Sequence, residues 1–132
     1  MEMMGVFEWS DELLVGNKNL DDQHKQFFAL ANSINVVNAS PDSVASSLIT
    51  LIEFAEEHLT FEERELARVG YRDALFHKEI HDQFRKQLAI LVQKAMQGQN
   101  EKGVMIEIKS FVTCWLYQHI RLVDSLYKPY MS

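Results

Sequence analysis

The five histidines of this chain fall into a regular pattern with two carboxylates. Imidazole is a neutral nitrogen ligand and a carboxylate can bridge two cations, so these side chains are suited to coordinate a pair of transition-metal ions. No histidine lies outside the pattern, so the whole supply is placed at metal-ligand spacings. In chain order the set is His24 alone, His58 with Glu62, His77 with His81, and His119 with Asp124.

Two of the pairs have the four-residue spacing that places both side chains on one side of an α-helix. Each residue advances by about 100°, so positions four apart differ by only about 40° and lie one turn apart. His77 and His81 can therefore bind one ion together, while His58 and Glu62 can offer a nitrogen to one ion and a carboxylate to both. One such pair arises often by chance, but metal-type pairs on three predicted helices, with a lone histidine on a fourth, do not. Burying all these groups without a cation would cost roughly 2–7 kcal/mol for each unpaired one.

His119 and Asp124 are five residues apart, a spacing that does not fit a regular helix. It would separate the two side chains by about 140° around the helix axis. We therefore predict a wider turn, such as a π-bulge, or a loosened helix between Ile120 and Asp124. Either change would aim both groups inward, and π-bulges often occur at functional sites.

The chain that positions these side chains is predicted to be a single all-α domain over residues 1–132. Glycine and proline are scarce, at 5 and 2 residues, and 47% of the residues are apolar, which favours long helices around a hydrophobic core. Helices with short connections predict an up-down-up-down four-helix bundle, in which inward-facing side chains can converge on one core site. We expect an amino-terminal arm over residues 1–20, then the bundle and a short tail over residues 21–132.

Capping residues and helix breakers divide the bundle into four predicted helices. The first begins near Asp21, with Asp21 or Asp22 as its cap. The second has Ser40 as its cap and Pro41 at its first position, and it stops at Gly70. The third and fourth are expected over about residues 74–97, before Gly98, and over about residues 102–122.

Composition and charge exclude several classes of partner. The net charge of −6 argues against nucleic acid, since phosphate binding needs a basic face. The amino terminus lacks a basic segment followed by an apolar run, and no stretch reaches the roughly 18 apolar residues of a membrane span. The single cysteine, Cys114, cannot form an internal disulfide. We therefore expect a cytoplasmic protein with no nucleic-acid or membrane partner.

The order H, H-xxx-E, H-xxx-H, H-xxxx-D resembles the signature of the hemerythrin family, and the match extends over almost the whole chain. The stretch from Trp9 through Val15-Gly16 to residues 20–25, Leu-Asp-Asp-Gln-His-Lys, is similar to the single-domain bacterial members, the bacteriohemerythrins. The resemblance implies two iron ions in a non-haem di-iron centre with a bridging oxo or hydroxo group. It would give His77, His81 and His119 to one iron, His24 and His58 to the other, and Glu62 and Asp124 to both.

The resemblance also implies what such a centre does. With shared bridges, the two-histidine iron keeps an open position, where dioxygen binds reversibly and where small anions or nitric oxide can compete. Only two carboxylates are present, and neutral imidazoles stabilise highly oxidised iron less well than the carboxylate-rich shells of other di-iron bundles. The expected function is therefore oxygen storage, delivery or scavenging, without enzymatic turnover.

Other functions and another metal stay open at this point. An oxygen or redox sensor would act through a separate, unknown partner protein. A di-iron oxidase, or an enzyme that consumes peroxide or nitric oxide, would need an acid or base beside the open position. The sequence offers no unassigned His, Asp or Glu with a compelling spacing. Zinc also binds imidazole-rich sites, so the preference for iron comes from the resemblance.

A dioxygen site of this kind needs a dry pocket, because water and anions would compete for the open position. Proteins similar to this one line the pocket with side chains that are close to the ligands in sequence. Tyr127, three residues after Asp124, is expected either to hydrogen-bond near the site or simply to pack, and Trp9 is a candidate cover for one end of the bundle. The expected pocket residues are Leu59, Trp115, Leu116 and Ile120.

Overall fold

Apolar side chains recur every three or four residues along four segments, and each segment forms an α-helix with one buried face. The computed structural model describes residues 9–34, 41–98 and 101–131, without the side chains of residues 41–44 and 101–102. The helices are α1 (Lys18–Asn32), α2 (Pro41–Arg68), α3 (Ala74–Met96) and α4 (Glu101–Leu122). A short 3-10 helix (Asp11–Leu13) precedes α1, and a longer one (Asp124–Tyr130) follows α4.

The four helices pack in a ring, with α1 against α2 and α4, and α3 against the same two helices; α2 and α4 also contact each other. Because only residues 69–73 connect α2 to α3, these two helices run in opposite directions. This is the all-α, up-down-up-down four-helix bundle that the sequence predicts, and the described residues include no β-strand. None of the described helices has the length and apolar character needed to cross a membrane.

The first helix begins earlier than the sequence predicts. It starts at Lys18, so the amino-terminal arm ends at residue 17 and not at residue 20. Asn17, and not Asp21 or Asp22, is the cap, because its side chain accepts the backbone N–H of the third helical residue at 3.1 Å. The carboxylate of Asp21 is buried and instead accepts the backbone N–H of Val15 at 2.7 Å. The expected cap was wrong because this aspartate holds the folded-back arm.

Glycines follow the ends of α2 and α3, as predicted. Each helix ends two residues before its glycine. Gly70 has a φ of +69° and Gly98 has a φ of +73°, a left-handed conformation that glycine adopts without strain. The second helix begins at Pro41 as predicted, while its expected cap, Ser40, lies outside the described residues.

The chain changes its helical geometry just after α4. The α-helix ends at Leu122, and Asp124 begins the 3-10 helix that continues to Tyr130. The predicted break between Ile120 and Asp124 is therefore present, but the wider turn was wrong, since a 3-10 segment is tighter than an α-helix. The expected tail packs back onto the bundle through Tyr127, which is fully buried.

The arm lies against the bundle and meets the carboxyl-terminal segment. The ring of Trp9 lies 6.4 Å from the ring of the buried Phe28 on α1, measured between centroids. The side-chain nitrogen of Asn17 lies 3.7 Å from the sulfur of Met131. Gly16 has a φ of +87°, and a Cβ there would lie 3.6 Å from the Cβ of Met131. The carboxyl-terminal segment therefore contacts the arm at Gly16 and Asn17, just before α1.

Replacing Asn17 by Ala is expected to lower the free energy of unfolding by about 1 kcal/mol, because the first turn of α1 loses its cap. Urea denaturation followed by circular dichroism measures this change. Asn19→Ala is the matched control, since Asn19 is exposed in the same turn and its replacement should alter stability by less than about 0.5 kcal/mol. Equal losses in the two variants would contradict the capping role of Asn17.

Candidate metal centre

The seven predicted ligand residues lie together in the core of the bundle. Each of the four helices contributes at least one of them, and the seventh begins the 3-10 helix after α4. None is more than 5% exposed, so seven polar side chains are withdrawn from water at one place. They are His24 on α1, His58 and Glu62 on α2, His77 and His81 on α3, His119 on α4, and Asp124.

Three imidazoles face one oxygen from each carboxylate. The Nε2 atoms of His77 and His81 both lie 3.0 Å from Oε1 of Glu62. The Nε2 atom of His77 is also 3.0 Å from Oδ1 of Asp124, and Nε2 of His119 is 2.9 Å from that oxygen. We call these imidazoles the three-histidine group.

The other two imidazoles face the remaining carboxylate oxygens, and we call them the two-histidine group. The Nε2 atom of His24 lies 3.3 Å from both Oε2 of Glu62 and Oδ2 of Asp124. The Nε2 atom of His58 lies 4.0 Å from Oε2 of Glu62. Each carboxylate therefore directs one oxygen to each group, as a ligand that bridges two cations would do.

Several buried atoms of this cluster have no hydrogen-bond partner among the described residues. They include both ring nitrogens of His24 and both oxygens of Asp124. The Nε2 atoms of His81 and His119 are only 3.2 Å apart, a separation at which two lone pairs repel unless a proton or a cation binds them. Unpaired polar atoms cost free energy in a core, and metal ions would remove that cost by taking up the lone pairs. The donor set therefore fits a pair of cations.

The charges of the cluster lead to the same conclusion. Burial and the neighbouring carboxylate raise the pKa of Asp124, but the imidazoles around it outweigh both and hold that pKa well below its usual range. Burial lowers the pKa values of His24 and His77, but the two carboxylates outweigh burial and raise them to about 9 and about 10. Burial and the charge of His24 lower the pKa of His58 to about 3. The carboxylates thus require positive charge, which protons or metal ions can supply.

This arrangement of ligands agrees with a known protein domain. The family model described as the hemerythrin HHE cation binding domain matches residues 15–131. The chain belongs to the hemerythrin family. Hemerythrins hold a non-haem pair of iron ions, and the clustered histidine and carboxylate atoms of this chain are able to hold a metal centre.

Relatives of this hemerythrin chain cover nearly its whole length. A hemerythrin-like protein of Naegleria gruberi is 35% identical over 122 residues, which are 92% of this chain and 91% of that protein. A bacteriohemerythrin of Methylococcus capsulatus is 35% identical over 114 residues, which are 85% of this chain and 86% of that protein. A crystal structure of wild-type hemerythrin is similar with a TM-score of 0.85 at 29% identity, covering 96% of this chain and 98% of the other. These findings confirm the family resemblance and the fold.

Two polar side chains orient histidines of the hemerythrin site from outside it. The Nδ1 atom of His58 lies 2.8 Å from Oε1 of Gln23. The Nδ1 atom of His81 lies 2.8 Å from Oε2 of Glu63. Because these oxygens accept, each ring carries its proton on Nδ1 and turns the lone pair of Nε2 toward the centre. Sequence reasoning missed both supporting residues, and the one signal for them was that each directly neighbours a predicted ligand.

The carboxylate of Glu63 belongs to a wider ion-pair network. Arg85 donates from Nη1 to Oε2 of Glu63 and to Oδ1 of Asp82, both at 2.9 Å. It also donates from Nε to Oε1 of Glu56 at 2.9 Å. Burial raises the pKa of Glu63, but hydrogen bonds from His81 and Arg85 outweigh it and keep that pKa below its usual value. The side chain of Glu63 is therefore a carboxylate at neutral pH.

The hydroxyl of Tyr127 donates to Oε2 of Glu62 at 2.7 Å, so of its two expected roles Tyr127 has the hydrogen bond near the site and does not merely pack. The ring of Tyr127 lies 5.8 Å from that of His77 and 6.1 Å from that of Tyr71, between centroids. Burial and the neighbouring carboxylates raise the pKa of Tyr127 well above its usual value, so this hydroxyl keeps its proton. The 3-10 helix after α4 thus both supplies a predicted ligand and holds another in place.

The expected pocket residues fall into two kinds. Trp115 stacks on His119 with centroids 4.3 Å apart, and its ring lies 6.3 Å from that of His81. Its contacts with predicted ligands are therefore with the three-histidine group. The other three are aliphatic side chains that are each 1% exposed: Leu59, Leu116 and Ile120.

Tyr127→Phe removes the hydroxyl group and with it the hydrogen bond that Tyr127 donates to Oε2 of Glu62. We expect the free energy of unfolding of the metal-free protein to fall by about 1–3 kcal/mol, because a buried charged acceptor loses its hydrogen bond. Urea denaturation measures the change. Tyr130→Phe is the matched control, since Tyr130 is 41% exposed and its ring survives the substitution. An unchanged stability in Tyr127→Phe would show that this hydrogen bond does not stabilise the fold.

Proposed function

We propose that the chain binds dioxygen reversibly at a non-haem di-iron centre and serves oxygen storage, delivery or scavenging without enzymatic turnover. The main support for this proposal is that each carboxylate has its two oxygens divided between the two groups of histidines. Glu62 and Asp124 each direct one oxygen to the three-histidine group and the other to the two-histidine group. Membership of the hemerythrin family supports iron as the metal and dioxygen as the ligand.

The proposed ligand assignment follows the two groups. Because both ions share the same bridges, the ion of the two-histidine group has one protein ligand fewer. When bound, the iron pair supplies electrons and one open coordination position for dioxygen. We propose that His77, His81 and His119 bind one iron and His24 and His58 the other, with Glu62, Asp124 and an oxo or hydroxo group as bridges.

Apolar side chains beside the ligands would keep the open position dry. Leu59 follows His58 on α2, and Leu116 and Ile120 are equally buried on α4. We propose that these three residues and Trp115 line the dioxygen pocket. Their aliphatic and aromatic surfaces disfavour water, and the indole N–H of Trp115 is the one polar group among these four side chains.

The polar groups that support the centre favour binding over catalysis. Acid–base catalysis needs a group that is free to exchange a proton with a substrate. The hydroxyl of Tyr127 already donates to Glu62. The carboxylate of Glu63 already accepts from His81 and Arg85. These contacts engage both groups in holding ligands, which supports a binding protein without turnover.

We propose a single hemerythrin-like domain over residues 1–132 that acts in the cytoplasm, where the lone Cys114 would stay reduced. Small anions and nitric oxide are proposed competitors of dioxygen, because each can occupy an open position on iron. A sensor would use the same centre and would need a partner protein to transmit its state.

Anaerobic reduction followed by dioxygen titration tests this function. We expect two irons per chain by metal analysis, uptake of one dioxygen per iron pair, and repeated release and uptake when oxygen is removed and restored. The absorption spectrum reports each cycle. Steady consumption of dioxygen would overturn the proposal in favour of an oxidase, and a chain that loads only another metal, such as zinc, would refute the iron centre.

Replacing either bridging residue is expected to break the metal pair. Glu62→Ala and Asp124→Ala each remove two of the donor oxygens, so we expect fewer than two irons per chain and loss of the paired-iron spectrum. Glu57→Ala is the matched control, because Glu57 is an exposed carboxylate on the same helix as Glu62. Metal content and spectra that stay unchanged in the first two variants would rule out the bridging roles.

A further inference from the structure

The two groups of ligands are supported by different chemistry on their outer sides. In the three-histidine group, Nδ1 of His81 faces a carboxylate oxygen of Glu63 at 2.8 Å. In the two-histidine group, Nδ1 of His58 faces the amide oxygen of Gln23 at the same distance of 2.8 Å. One support carries a full negative charge and the other is neutral. The protein therefore provides two unlike surroundings for the two proposed metal ions.

We propose that Glu63 is a positioning residue that makes His81 a strong donor and so biases the three-histidine iron toward its oxidised state, whereas Gln23 orients His58 without this bias. The inference rests on the proposed di-iron function and deepens it. A carboxylate that accepts a ring N–H draws the proton outward, which raises the basicity of the opposite nitrogen. A neutral amide oxygen accepts a weaker bond and has less effect on the ring.

The network around Glu63 is suited to this role. Arg85 donates to Oε2 of Glu63 at 2.9 Å, the same oxygen that faces His81, and so fixes its direction. The other partners of Arg85 are Glu56 and Asp82, which share its positive charge and leave Glu63 the stronger acceptor for the ring proton. The side chain of Glu63 is only 17% exposed, so water weakens the bond to His81 less than at the surface.

The placement of this charge suits the proposed dioxygen binding. Glu63 places its negative charge beside the three-histidine group, where all coordination positions of the iron would be filled. The charge can therefore favour only the loss of an electron from that iron. Gln23 brings no charge to the side where dioxygen would arrive. His58 is thus held in one orientation without an added negative field near the open position.

A pair of matched variants separates the charge of Glu63 from general electrostatics. Glu63→Gln removes the charge and keeps an acceptor oxygen. Glu56→Gln is the control, because Glu56 is also on α2 and also binds Arg85, but it has no described bond to His81. The reduction potential of the iron-loaded protein is measured anaerobically by mediated redox titration. We expect a higher potential in Glu63→Gln and little change in Glu56→Gln.

Gln23→Glu is the reverse test, since it gives His58 the charged support that His81 already has. We expect this variant to have a lower reduction potential than the unmodified protein. Equal shifts in Glu63→Gln and Glu56→Gln, or no shift in Glu63→Gln, would overturn the inference. If Glu63→Gln does not load iron, the reduction potential of Gln23→Glu provides the test. An unchanged or higher potential in that variant contradicts the inference.

The positioning of His81 has a readout of its own. Glu63→Ala removes the acceptor, and we expect the affinity for iron, measured by competition with a chelator, to fall by about 10–100-fold. Glu56→Ala should keep the original affinity, and an equal affinity in Glu63→Ala would contradict the positioning role. Neither measurement uses dioxygen. A chain that holds two irons but does not bind dioxygen reversibly would therefore overturn the proposed function and leave this inference standing.

Discussion

Two buried carboxylates facing five imidazoles form the constraint on which the rest of this structure depends. Negative charge in a protein core is stable only when positive charge and hydrogen bonds compensate for lost hydration. Glu62 and Asp124 meet this condition through imidazoles that can carry either protons or metal ions. The four helices must therefore place the side chains of this cluster at the same level along the bundle axis. The four-residue spacings within α2 and α3 achieve this with regular helical geometry.

Packed rings hold the imidazoles of the centre in fixed orientations. Trp115 stacks on His119 with an angle of 13° between the planes, and Phe84 stacks on Trp115 with centroids 4.1 Å apart. On the other side, the rings of Phe27 and His58 form a T-shaped pair with centroids 5.7 Å apart. A ligand shell held by packing on one side and by hydrogen bonds on the other changes little when the charge of its metal changes. Such preorganisation favours reversible binding.

Much of this structure follows from the sequence, because helix periodicity and ligand spacing are local properties. The helix stops at Gly70 and Gly98 were predicted for that reason. The start of α1 was not, since the buried carboxylate of Asp21 accepts the backbone N–H of Val15, six residues earlier, in a turn of the arm that helix periodicity does not reveal. The supporting residues Gln23 and Glu63 were missed because each lies one position from a ligand, where only the neighbouring helix decides whether it faces solvent or a histidine.

The predicted ligands come from distant positions in the sequence, and this spacing determines when the centre can form. His24 belongs to the first helix, while Asp124 lies beyond the last one. Bringing together such distant segments closes a long loop, which slows assembly. A partly folded chain can offer the local pair His77 and His81, but the proposed bridges Glu62 and Asp124 would both face the second position only after the 3-10 helix docks. Binding of both proposed ions would therefore mark completed folding, whereas an ion bound early would sit in an immature, single-metal form.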